Sequence, residues 1–153
     1  MAAVTLKSLQ HFSSLATILF LLTTQTHAAS CTVTSNTLSF GNYNVFANAP
    51  LNSTGTIEVK CTPDSTSYTI TLDNGLYGSI LNRKMRSSNS NEVLSYNLYT
   101  NTTFITLWGD GAGGGIPVVG LHSDTFTVYG RILPLQDVSI GSYADSVTVT
   151  VNF

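Results

Sequence analysis

The chain has 153 residues, of which only 9% are charged, and its formal net charge is −2. That is the length of one ordinary domain. Its six Lys and Arg residues form no basic run of the kind that grips nucleic acid or docks on anionic lipid, so neither partner is expected.

Residues 1–28 differ from the remainder. Lys7 is followed by an apolar run over residues 15–22, then by polar residues 23–26 and the small residues Ala28, Ala29 and Ser30. This is the pattern of a Sec-type signal peptide. The apolar run is far shorter than the roughly 20 residues of a spanning helix, and no second run follows. The mature protein is therefore expected outside the cytoplasm, in contact with the membrane only in transit. Cleavage after Ala28 or Ala29 removes Lys7 and leaves five cations against eight acids, a formal charge of −3.

Cys31 and Cys61 are the only cysteines. An even count in an oxidising compartment predicts one intrachain disulfide. Closing a loop of that length is worth about 3–4 kcal/mol in the chain-entropy model. The alternative makes Cys31 a lipidated N-terminus, but Ala28 stands where a lipobox has Leu, and Cys61 would be left without a partner.

Beyond residue 30 no apolar period near 3.6 occurs, while alternation with period 2 recurs, so strands dominate. Ile57, Val59 and Cys61 alternate with Glu58 and Lys60 in a strand expected over residues 54–62. Tyr68, Ile70 and Leu72 form the next, ending at the turn signal Asp73-Asn74-Gly75. Leu94, Tyr96 and Leu98 mark a third, and residues 104–108 a fourth. Residues 126–133 read as a strand broken by Gly130 and closed by Pro134. In the last segment Val147, Val149, Val151 and Phe153 alternate with Ser146, Thr148, Thr150 and Asn152. About seven short strands predict one all-β domain, a two-layer antiparallel sandwich. A final strand with an apolar inner row and no cap after it leaves a sheet edge that must be paired or covered, by another chain if not by this one.

These landmarks stand in a recognisable order. Cys31-Thr32-Val33 and Phe40-Gly41-Asn42-Tyr43 come first. They are followed by Ile57-Glu58-Val59-Lys60-Cys61-Thr62 and Tyr68-Thr69-Ile70-Thr71-Leu72-Asp73-Asn74-Gly75. Arg83-Lys84-Met85, Leu94-Ser95-Tyr96-Asn97-Leu98-Tyr99 and Trp108-Gly109-Asp110-Gly111 come next. Val128-Tyr129-Gly130-Arg131-Ile132, Gln136 and Gly141-Ser142-Tyr143-Ala144-Asp145-Ser146-Val147 complete the set. Over residues 31–153 the chain resembles the spore coat protein U family, which includes pilins of archaic chaperone-usher pili.

The resemblance implies an incomplete immunoglobulin-like β-sandwich of pilin type, lacking its final strand, with a hydrophobic groove beside the C-terminal strand. Val147, Val149, Val151 and Phe153 would form one wall of that groove. A periplasmic chaperone would lend it a strand, which another pilin subunit's N-terminal extension would replace at the outer-membrane usher. The C-terminal carboxylate of Phe153 would be held by basic chaperone residues. One departure is that only Ala29 and Ser30 precede Cys31 in the expected mature chain, less than a donor strand of about five to ten residues. The subunit is expected to accept a strand but not to donate one.

Other chemistry is weaker. Residues 109–114 spell G-x-G-x-x-G, but Gly115-Ile116-Pro117 follows with no helical pattern, which predicts a mobile loop rather than a nucleotide site. His122 is the only mature histidine and is expected in a solvated loop, with no triad or zinc site around it. Asp73, Asp110, Asp137 and Asp145 read as turn residues that bond nearby backbone, with a Ca²⁺ site or a glycosidase pair as the rival. Arg83, Lys84 and Arg86 are expected to decorate a solvated hairpin. Two sequons, at Asn52 and Asn101, are of a kind common by chance in a Thr-rich chain.

The reading is thus a secreted structural subunit, not an enzyme, with no cofactor or metal. It passes through the periplasm to the cell surface or a fimbrium and serves adhesion or biofilm formation. The rival is a carbohydrate- or ligand-binding module that does not polymerise, with its site on the loop of residues 109–117.

Overall fold

The structure, a computed structural model, describes residues 28–153. Apart from Ala28, the expected signal segment lies outside the described residues. Nine strands follow in order: β1 (Ser30–Ser35), β2 (Leu51–Thr62), β3 (Tyr68–Leu72), β4 (Arg83–Ser87), β5 (Val93–Tyr99), β6 (Val118–Gly120), β7 (Asp124–Ile132), β8 (Tyr143–Ala144) and β9 (Val149–Asn152). Six of them form one sheet in the order β1-β2-β7-β5-β4-β8, and three form a second in the order β6-β3-β9. Every pairing is antiparallel.

The period-2 alternation becomes burial directly. Ile57, Val59 and Cys61 of β2 turn inward, whereas Thr56, Lys60 and Thr62 are exposed. Leu94, Tyr96 and Leu98 of β5, with Val128 and Ile132 of β7, extend the same inner face. The opposing sheet contributes Tyr68, Ile70 and Leu72, each at most 2% exposed. Full burial of an aliphatic side chain of this size is worth about 1.5–3 kcal/mol, so this row anchors the small sheet. Trp108 drops in from a loop between them, donating its indole N–H to the Ile70 carbonyl at 3.1 Å.

The two layers differ in width. Six strands at about 4.8 Å spacing span roughly 24 Å between the outermost strands, and three span about 10 Å. The small sheet cannot cover the inner face of the large one. β9 pairs with β3 through Leu72↔Val149 and Ile70↔Val151, and its other edge has no strand neighbour among the described residues.

Three local expectations are corrected. Residues 104–108 are not a strand, because Phe104 adopts φ of 54°. The Asn101 side-chain oxygen accepts from the Thr103 N–H, and the Asn101 carbonyl from the Phe104 N–H, so a turn wins over extension. Gly130 does not break its strand: β7 runs through it, and a Cβ there would lie 2.8 Å from the Phe40 ring and 2.9 Å from Leu38. The glycine makes room for a segment that crosses the sheet face. Arg83 is not solvated: it is fully buried at the start of β4, while Arg86 alone of the three cations is exposed.

Candidate functional site: an open groove beside β9

Between the sheets, where the narrow one stops, lies a groove of about 1150 Å³. Its floor is the inner face of the large sheet, with Ile57, Met85, Leu94, Leu98, Val128 and Ile132, joined by Leu72 from the small sheet. One wall is residues 35–46, which from Asn36 onward leave β1 and cross the sheet outside any strand. The other is residues 138–147, continuing into β9 through Val149.

Each wall is tied down by side chains. The Tyr43 hydroxyl donates to the Leu133 carbonyl at 3.1 Å and accepts from the Gln136 N–H at 2.8 Å, which pins the first wall to the turn after β7. The Gln136 side chain completes that tie by bonding both the N–H and the carbonyl of Ser95. On the second wall, the Glu92 carboxylate accepts from the Ser139 N–H and hydroxyl and from the Tyr143 hydroxyl. The Ser139 bonds, ahead of the Tyr143 hydroxyl, hold Glu92 below its ordinary carboxylate range.

The end of the groove nearest β3 is polar. Tyr96 donates to Asp145 Oδ2 at 2.7 Å, and Asp145 Oδ1 accepts the N–H groups of Leu76 and Ser146, both at 2.9 Å. Burial first, and then this carboxylate, push the Tyr96 hydroxyl well above the usual phenol range, so it remains a donor. Gly75 has φ of 72°, and a Cβ there would strike Asp145, so the turn and the carboxylate fit only with glycine. Burial works to raise the Asp73 carboxyl, but the Gly75 N–H and Thr148 outweigh it and hold it below its ordinary value.

Behind this end sits Arg83. It donates to the carbonyls of Asp73, Leu72 and Trp108, tying the end of β3 to the tryptophan loop. Burial lowers its pKa, opposed by Tyr96, Asp73, Asp145 and Asp110, but a guanidinium keeps its charge. Its Nη1 is buried with no partner.

The predicted groove row is divided. Val147 and Val149 line the groove and are half-buried. Val151 is half-buried against the core further along β9, while Phe153 is 59% exposed and outside the groove lining. Cys31 and Cys61 lie directly opposite one another in the β1–β2 ladder and are disulfide-bonded. Sequence reasoning starts the second wall only at Val147, and it misses residues 35–46 and 138–146 as walls. Phe40 and Tyr43 are visible as landmarks, but no periodicity marks residues 35–46 as a wall.

The other candidates resolve into structure. The loop of residues 109–115 is closed by hydrogen bonds between Gly109 and Ile116 and between Ile116 and Leu107, and Asp110 Oδ1 is occupied by the N–H groups of Ala112 and Gly113. His122 stands exposed on a loop, 3.7 Å from the exposed Asp64. Among the described residues no three of His, Cys, Asp and Glu are grouped to hold a metal ion.

Comparison with known proteins gives the same fold. The chain is similar to a chain in the crystal structure of the CsuC–CsuE chaperone–tip adhesion subunit pre-assembly complex from archaic chaperone-usher Csu pili of Acinetobacter baumannii. The TM-score is 0.57 at 26% identity, over 82% of this chain and 40% of that one, so the match spans under half the length of the solved chain. It is 38% identical over 129 residues to Protein U of Myxococcus xanthus, covering 76% of this chain and 72% of that protein. The family model of the Spore Coat Protein U domain matches residues 16–150, and the chain belongs to that family.

Proposed function

We propose that this protein is a structural subunit of the bacterial cell surface, exported by the signal in residues 1–28 and assembled by strand addition through a chaperone-usher route. In the periplasm a chaperone occupies the groove with one of its own strands. At the outer-membrane usher another subunit's segment replaces it, and the assembled protein serves adhesion or biofilm formation. The observation that carries this reading is the edge of β9, without a strand neighbour among the described residues, above an apolar floor. At about 1150 Å³ the groove exceeds the roughly 300–1,000 Å³ of small-molecule sites, and it is bordered by every residue from Ser35 to Phe46, as an extended occupant requires. An added strand would bond its backbone to β9 and place alternate side chains on the floor. The similarity to a chain of a chaperone–pilus subunit complex supports the same reading. Val147 and Val149, with Val151 and Phe153 beyond them, are the proposed contacts on the β9 side.

The test appends a strand of alternating apolar residues after Phe153 through a flexible linker. Four inward side chains at about 1.5–3 kcal/mol each should raise Tm by roughly 15 °C and give a monomer, whereas the unextended chain aggregates. Equal melting and equal solubility of the two proteins would refute the reading.

A further inference from the structure

The groove is apolar in its floor but not electrically neutral. Asp145 is the one charged side chain in its lining, which contains no Lys, Arg or His. Its carboxylate accepts three hydrogen bonds, two at Oδ1 and one at Oδ2. A carboxylate has about four acceptor sites, so Oδ2 keeps one in reserve. No cation pairs with it: the two ion pairs among the described residues are Lys60–Glu58 and His122–Asp64. The buried Arg83 directs its donors to backbone carbonyls instead.

A wholly apolar strand laid into this groove would strip water from Asp145 and offer nothing in return, and burying a carboxylate without a partner is costly. An apolar floor also specifies register poorly. A strand slipped by two residues still points apolar side chains inward, whereas one polar pair in an apolar interface selects a single alignment.

We propose that the strand accepted here carries one cationic side chain, Lys or Arg, among its inward apolar residues, placed opposite Asp145, and that this pair sets the register and the choice of partner. The proposal rests on the strand-acceptor reading and adds the chemistry of the occupant. Asp145 thereby acts as the specificity residue of the groove, Tyr96 acts as a positioning residue that bonds its carboxylate, and Gly75 leaves the room that the carboxylate occupies.

The experiment uses the chain with an appended strand and moves a single Lys through each inward position in turn, with thermal melting as the readout. Lys should lower Tm at every inward position but one. At that position it should melt roughly 4 °C or more above the all-apolar strand. Asp145→Asn, which keeps the acceptor for Leu76 and Ser146, should abolish the advantage of that Lys strand. Its effect with the all-apolar strand serves as the control in a double-mutant cycle. If Lys is unfavourable at all inward positions, or the favoured position persists in Asp145→Asn, the proposal is overturned while the groove reading stands. If not even the all-apolar strand raises Tm, both fall together.

Discussion

Replacing Arg83 by Met tests whether the small sheet is held to the rest of the fold by a polar tie as well as by packing. Met approximates the length of the side chain but removes all of its donors. Three carbonyls, of Leu72, Asp73 and Trp108, lose bonds of 3.3, 2.6 and 3.0 Å to Nη2, and Asp73 also loses a 2.9 Å bond from Nε. Each buried acceptor left unpaired costs about 1–3 kcal/mol, or roughly 3–9 together. Part of that is returned because a desolvated cation with an unpaired Nη1 is no longer buried, which is worth several kcal/mol. The net expectation is a loss of about 3 kcal/mol. With a urea m value of about 1.5 kcal/mol/M, the unfolding midpoint of the chain bearing an appended strand should fall by roughly 2 M. Arg83→Lys keeps the charge but not the planar fork, and its midpoint should lie between the two. A midpoint for Arg83→Met within about 0.5 M of the parent would refute the reasoning and show that packing of Tyr68, Ile70, Leu72 and Trp108 holds the sheet alone.

Cys31→Ser with Cys61→Ser should lower stability by about 3–4 kcal/mol, measured by urea unfolding, and reductant should have that effect on the parent and none on the double variant. Acid should loosen the wall at Ser139 and Tyr143. Because Glu92 is depressed below its ordinary 4.5, its contribution is complete above that value and is lost as pH falls through the lower folded-state pKa. Glu92→Gln, which has no proton to gain there, should therefore show a shallower fall in Tm between about pH 5 and pH 3. Identical profiles for the two proteins would show that Glu92 does not hold the wall.

Much of this protein was legible in its residues alone. Alternation in β2, β3 and β5 told which side chains would be inside, because a strand sends successive side chains to opposite faces wherever it is placed. Two cysteines and an export signal were enough to expect the disulfide, which β1 and β2 then brought into register. Tertiary structure decided the remainder. Arg83 reads as one of three surface cations, and only the carbonyls at the end of β3 and on the tryptophan loop, 10 to 25 residues away in sequence, give it a reason to be buried. Gly130 reads as a break, and only the passage of Leu38 and Phe40 over β7 explains it. Asp145 reads as a turn residue, and its meeting with Tyr96 spans 49 positions. Periodicity is local and survives in one dimension; the width mismatch of two sheets, which opens the groove, arises only when distant segments pair.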